Sequence, residues 1–256
     1  MGINSEDKNK KEKFAKLMTS TARISCPICD RGDKFMVKNQ YRKAVDEYLT
    51  SIMAHRDNTR AFKGAALAYK KMKKYELAIK HLENAKNISS FDYEIYYELG
   101  LNHLLNANPC LAIKNLTKSL RLNKNNINAQ IQLAISHEVA GEEQMALAIY
   151  QKIIEENPRA INAYNHKAGL YMQMGEFEPA KELFIQILKI NPSYHRGYLG
   201  LGICLDRLGE EKKAVRYYKK YIAAKPKSET SYALVNRVCE IYSKTHNRGE
   251  RLLKIV

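Results

Sequence analysis

The stretch INAYNHKAGLYMQMGEFEPAKELFIQILKINPSY, residues 161–194, decides how the chain folds. Tyr164, Ala168 and Tyr171 stand four and three residues apart, so they share one face of a helix. Ala180, Phe184 and Ile187 do the same on a second helix. Gly175 lies between the two sets, where the first helix must stop and reverse and a residue able to take positive φ is favoured. Asn191 and Pro192 end the second helix. Ala168 and Ala180 mark the nearest approach of the two backbones, and a large side chain at either would overfill the crossing at a cost of roughly 1–3 kcal/mol.

This spacing recurs every 34 residues without insertion or deletion, as Pro158, Pro192 and Pro226 show. It divides the chain into six copies, 25–58, 59–92, 93–126, 127–160, 161–194 and 195–228. The copies at 59–92 and 93–126 keep register while lacking the turn glycine, and the reversals are predicted near Asn39, Lys73, Ala107, Gly141, Gly175 and Gly209. Residues 229–244 repeat the first-helix pattern through Tyr232, Val235 and Cys239 with no second helix to match, which predicts a capping helix over the last apolar face. Residues 1–24 are rich in Lys and poor in large apolar groups, and read as a mobile basic arm; 245–256 form a basic tail. A lone helix pair cannot bury its own apolar face, so the copies are stable only when stacked.

The aromatic, small, aromatic, alanine, aromatic and proline slots of these copies resemble the tetratricopeptide repeat family over roughly nine tenths of the chain. The resemblance implies an all-α, right-handed superhelical solenoid of antiparallel helix pairs, whose first helices line a concave groove that binds peptides or partner helices. No catalytic residue belongs to the family's pattern. In this family the groove-facing positions lie on the first helix, off the packing face. Here they are Tyr97, Leu101, Leu104, Leu105, Ile131, Ile135, Val139, Leu199 and Ile203, flanked by the basic Lys63, Lys70, Lys71, Arg196 and Arg207. An apolar strip with basic shoulders suits an amphipathic protein segment with acidic flanks. The carboxylate clamp that some co-chaperones of this family use is not implied. Lys63 matches its first Lys, but Leu67, Glu98, Asn128 and Gln132 stand where Asn, Asn, Lys and Arg belong.

Composition narrows the remaining classes. No apolar run approaches the roughly 18 residues that span a bilayer, and the first residues carry no apolar signal core, so the expected compartment is the cytoplasm. No nucleophile elbow, P-loop, dinucleotide fingerprint or HExxH is present, so neither an enzyme nor a cofactor is expected. The formal net charge of +16 is concentrated in the arm, in Lys70, Lys71, Lys73 and Lys74, and in Lys212, Lys213, Arg216, Lys219 and Lys220. It opens a second reading, a basic RNA-associated or membrane-surface factor that uses the arm and the convex face. That reading ranks behind protein binding, because no RNA-reading module is present and a charge run is usually a solvated face.

Cys26 and Cys29 form a CxxC like half of a zinc knuckle, with the other half missing. Cys110, Cys204 and Cys239 lie in separate copies, and the pair reads as free thiols near a helix start. His103 and His137 occupy the second aromatic slot and read as packing residues, not metal ligands.

The crossing geometry makes a first prediction. Ala180→Leu lowers the melting midpoint far more than Lys213→Ala, since one overfills a helix contact and the other trims a solvated side chain. Equal midpoints in parallel thermal melts would show that the packing face is misplaced.

Overall fold

The computed structural model describes residues 26–245. Among these it holds thirteen α-helices and no strand. In chain order the helices are α1 (Pro27–Val37), α2 (Tyr41–Ala54), α3 (Thr59–Lys71), α4 (Tyr75–Ile88), α5 (Tyr93–Leu105), α6 (Pro109–Leu122) and α7 (Ile127–Val139). They continue with α8 (Glu143–Glu156), α9 (Ile161–Gln173), α10 (Phe177–Ile190), α11 (His195–Arg207), α12 (Glu211–Ala224) and α13 (Glu229–Thr245). The chain divides into two compact units, Met1–Asn108 and Pro109–Val256, with the division inside the copy 93–126. In the first unit each of α1 to α4 packs on the next helix, and in the second each of α6 to α12 does so. The proposed arm, 1–24, and all of the proposed tail after Thr245 lie outside the described residues; Thr245 itself ends α13.

The reversals follow from backbone conformation. Six residues spaced every 34 positions have positive φ: Asn39 (56°), Lys73 (58°), Ala107 (56°), Gly141 (77°), Gly175 (80°) and Gly209 (80°). At each, two hydrogen bonds close the helix end. The Gly175 N–H donates to the Met172 carbonyl (3.1 Å) and the Glu176 N–H to that of Tyr171 (2.9 Å); Lys73 N–H donates to Lys70 (2.9 Å) and Lys74 N–H to Tyr69 (2.9 Å). This is the Schellman arrangement, which satisfies carbonyls left over at a helix end. Where glycine is absent, the bonds and the packing on either side hold Lys73 and Ala107 in a region that costs an L-residue about 1 kcal/mol or more. Helix starts are capped by side chains where the sequence supplies them. Asn58 Oδ1 accepts from the Ala61 N–H and Asn126 Oδ1 from that of Ala129, both at 3.1 Å, and Asp92 accepts from Glu94 N–H.

The cores lie where the helices cross. Ala44, Ala78, Ala112, Ala146, Ala180 and Ala214, one per copy, are all fully buried, as are Ala134 and Ala168 on first helices. Four residues after each second-helix alanine comes a large buried side chain: Tyr48, Leu82, Leu116, Tyr150, Phe184 or Tyr218. The Tyr48 ring lies so close to Gly32 of α1 and Gly64 of α3 that a Cβ on either would come within 2.6 Å of it. A Cβ on Gly200 would come within 2.3 Å of Phe184 and one on Gly202 within 2.6 Å of Tyr218. These rings therefore join one helix pair to the next, and the glycines provide the space for them.

Tyr232 is 64% exposed and Val235 is exposed, whereas Ser231, Leu234, Val238 and Ile241 are buried, with the three apolar ones in the core beneath α12. The face bearing Tyr232 and Val235 would meet a paired second helix, and none follows among the described residues. The face that covers the preceding copy is the one rotated away from it.

The turn geometry predicts opposite signs for two kinds of substitution. No atom lies within 4 Å of a Cβ built on Gly141, so Gly141→Ala isolates the backbone cost and lowers stability by about 1 kcal/mol. Lys73→Gly and Ala107→Gly each raise it by up to about 1 kcal/mol, less the added freedom of the unfolded chain. Denaturant titrations check this, and a Gly141→Ala protein as stable as the wild type would refute the strain account.

Candidate partner-binding surfaces

The predicted strip is placed unevenly by the packing. On α5, Tyr97, Leu101 and Leu104 are half-buried, while Leu105 is 53% exposed. On α7, Ile131 is only 6% exposed and belongs to the core with Ala134, Ala146 and Tyr150, so its side chain is occupied in packing. Ile135 is half-buried against the same core, and Val139 is 56% exposed. On α11, Leu199 and Ile203 are half-buried against the core that contains Phe184 and Tyr218.

The basic shoulders are partly neutralised by acids that only the stacking brings near. Lys63 Nζ donates to Asp92 (3.0 Å) and Glu94 (2.5 Å), and Lys70 Nζ to Glu98 (2.5 Å). The ion pairs hold the Lys63 ammonium above its usual range, although burial opposes them. Lys71, Arg196 and Arg207 are exposed, with the Arg207 guanidinium 5.7 Å from the centre of the Phe177 ring. Along one register position of the first helices, the exposed residues are Val37, Lys71, Leu105, Val139, Gln173 and Arg207.

Several carboxylates on first helices are tied to tyrosines of the second. Tyr48 donates to Asp33 (2.5 Å), Tyr150 to Glu138, and Tyr218 to Asp206 (3.0 Å). Arg237 of α13 grips Asp206 through two bonds, Nη2 to Oδ1 at 2.7 Å and Nε to Oδ2 at 2.9 Å. Burial raises the Glu138 carboxyl, against the hydrogen bond from Tyr150. His137 Nδ1 lies 2.5 Å from Glu142, and both His103 and His137 are buried in the packing. Among the described residues no cluster of three His, Cys, Asp or Glu side chains could hold a metal ion.

Two features were not foreseen from the sequence. A concavity of about 510 Å³ opens between α2, α3 and α4, lined by Ile52, Met53, Phe62, His81 and Ile88 among others. His81 stacks on Tyr69 with ring centres 5.4 Å apart. The available signal was apolar residues, Met53 and Ile88, at second-helix positions that face away from the paired helix. The other feature is Lys167, buried where Leu99, Leu133 and Leu201 stand in other copies. Its Nζ donates to Gln151 Oε1 (2.6 Å) and lies 5.7 Å from the Tyr171 ring centre. Burial lowers its pKa, with the charge of Glu155 opposing.

The family model of the coatomer epsilon subunit matches residues 33–248. No curated protein compared with the chain matches it. Among solved structures, a tetratricopeptide repeat protein from Parabacteroides merdae ATCC 43184 is similar over 88% of this chain and 89% of its own, at 19% identity and a TM-score of 0.65. PilW, described as a widely conserved type IV pilus biogenesis factor, is similar over 81% of this chain and 96% of its own, at 20% identity and a TM-score of 0.69. YrrB, a tetratricopeptide repeat protein described as having an unusual peptide-binding site, is similar over 72% and 95%, at 21% identity and a TM-score of 0.56. At these identities the likeness shows the fold, and that fold is the tetratricopeptide repeat solenoid.

Lys167 provides a pH prediction. Its folded-state pKa lies below the unfolded value, so the unfolded chain binds more protons in between and stability rises with pH through that alkaline window. Lys167→Leu removes this rise and stabilises the fold by about 1 kcal/mol by placing an apolar side chain in an apolar slot. Melting midpoints measured from neutral to alkaline pH check both parts, and an unchanged slope in the variant would assign the rise to another group.

Proposed function

The chain belongs to the coatomer epsilon subunit family, and we propose that it acts as a non-catalytic scaffold, holding an amphipathic segment of another coat polypeptide against its first helices. The observation that carries this reading is that one register position of the first helices keeps aliphatic side chains exposed in each unit, Val37 and Leu105 with the cation Lys71 in the first and Val139 with the cation Arg207 in the second. Leu105 and Val139 occupy the same place in successive copies, and each keeps more than half of its surface in solvent although it is aliphatic. A helix or extended segment with apolar residues flanked by acids complements that series. The half-buried Tyr97, Leu101 and Leu104 in the first unit, and Ile135, Leu199 and Ile203 in the second, add apolar surface on the same helices. Because Lys63 and Lys70 are already paired, acidic flanks are met instead by Lys71, Arg196 and Arg207. No described helix is long and apolar enough to cross a membrane. A coat component of this kind works in the cytoplasm.

A second reading places an anionic polymer or lipid surface on α12, where Lys212, Lys213, Arg216, Lys219 and Lys220 are exposed. Lys213 is paired with Glu210, and Lys220 lies 5.2 Å from the Tyr198 ring centre, so part of this charge already has partners within the fold. Salt separates the two readings. Apolar capture persists as salt rises, whereas phosphate binding falls steeply.

The decisive variant is Leu105→Glu with Val139→Glu. Both side chains are exposed, so the circular-dichroism spectrum and melting midpoint stay close to the wild type. Retention of coat polypeptides in affinity capture from the native lysate falls about tenfold or more, as loss of an apolar anchor from each unit requires. A folded double variant that retains the same polypeptides would place binding elsewhere.

A further inference from the structure

The first helix begins with a dithiol that the scaffold reading does not use. Cys26 is the N-cap of α1, with its Sγ 3.3 Å from the Cys29 N–H that donates to it. Residues three apart on a helical turn have Cα atoms about 5 Å apart, within the span a disulfide bridges. Both sulfurs converge on one hydroxyl: Ser51 Oγ of α2 is 3.1 Å from Cys26 Sγ and 3.3 Å from Cys29 Sγ. The Asn58 amide, at the start of α3, donates to Ser51 Oγ (3.0 Å) and reaches each sulfur at 3.5 Å. Since the amide supplies a proton to that oxygen, the Ser51 hydroxyl hydrogen is free to point at a sulfur. The cluster therefore has more donors than a pair of packing thiols needs, and they are placed to stabilise negative charge on sulfur.

We propose that Cys26 and Cys29 are a redox-active dithiol whose substrate is a low-molecular-weight disulfide. The Cys26 thiolate attacks one sulfur of the external disulfide; that S–S bond breaks, and the departing thiolate takes a proton from solvent. Cys29 then loses its proton to solvent and attacks the Cys26 sulfur of the mixed disulfide, which releases the second thiolate to be protonated in turn. Two electrons pass from the protein to the external disulfide, leaving a Cys26–Cys29 bond and two free thiols. The order follows from position. Cys26, 8% exposed at the helix end, is reached by opening a single turn, whereas Cys29 is fully buried behind it. Electrostatics agree: burial raises the Cys26 thiol, but the hydrogen bonds from Cys29, Ser51 and Asn58 outweigh it and bring the pKa down to about 7. Burial and the neighbouring Cys26 raise Cys29. Cys204, buried without such donors, is pushed up to about 11. Because Asn58 also caps α3 through Oδ1, closing the bond loosens a cluster that joins α1, α2 and α3.

The full chain is equilibrated near neutral pH in buffers of stepped oxidised-to-reduced glutathione ratio, quenched with acid, alkylated and mapped by mass spectrometry. The expected result is a peptide carrying both Cys26 and Cys29, lighter by two hydrogen atoms, that becomes the majority form at oxidising ratios while Cys110, Cys204 and Cys239 remain alkylatable. Cys29→Ser stops the reaction at a glutathione adduct on Cys26. Ser51→Ala slows alkylation of Cys26 by iodoacetamide severalfold at neutral pH. No bridged peptide at any ratio, with Cys26 unmodified in Cys29→Ser, would overturn the proposal, and so would a bridge that joins either residue to Cys110, Cys204 or Cys239.

Discussion

Within each unit, the helix pairs depend on the close approach of a second-helix alanine to a small residue of the first. Ala44, Ala78, Ala112, Ala146, Ala180 and Ala214 have no exposed surface, and each begins the buried face of its helix. Such an approach leaves no room for a side chain between the backbones, so the large groups are displaced four residues further along. That is where Tyr48, Leu82, Leu116, Tyr150, Phe184 and Tyr218 fill the space between one pair and the next. Glycine faces three of the four rings: Gly32 and Gly64 lie around Tyr48, Gly200 over Phe184 and Gly202 over Tyr218, while Tyr150 stacks on His166. Gly64 and Gly200 also belong to the copy that follows the ring they face, so a single ring ties neighbouring copies together.

The hydroxyls of three of these rings add an electrostatic consequence. Tyr48, Tyr150 and Tyr218 donate to Asp33, Glu138 and Asp206, acids on the first helices. These carboxylates are anchored by the core, and Asp206 is further held by Arg237 of α13. The ion pairs of Lys63 and Lys70 with Asp92, Glu94 and Glu98 act in the same direction on the basic side. At one register position of the first helices, Val37, Leu105 and Val139 keep aliphatic surface exposed.

The position occupied by Ala85, Ser119, Ile153, Ile187 and Tyr221 in the other copies is Ser51 in the first, fully buried, and its hydroxyl meets two sulfurs. A polar group placed there requires partners, and Cys26, Cys29 and Asn58 supply them.

The sequence by itself determined the helices, their pairing and the six reversal points, including Asn39, Lys73 and Ala107 where no glycine marks the turn. These are legible because they rest on local spacing: a helix face repeats every three or four residues, and a 34-residue period repeats the whole pattern. Only the tertiary structure decided which candidates carry usable surface. Ile131 and Leu105 look alike in sequence, yet the stack buries one and leaves the other exposed. Lys63 and Lys70 look free until acids about 30 residues away are folded against them. The exposed Tyr232 and Val235 follow the first-helix spacing, but which face of α13 is covered depends on the neighbours present, and only α12 and its core lie beneath it. Cys26, Cys29, Ser51 and Asn58 lie up to 32 residues apart and meet only where three helix ends converge. Charge pairing, burial and the assembly of a polar cluster are properties of contacts between distant segments, and periodicity along one chain does not encode them.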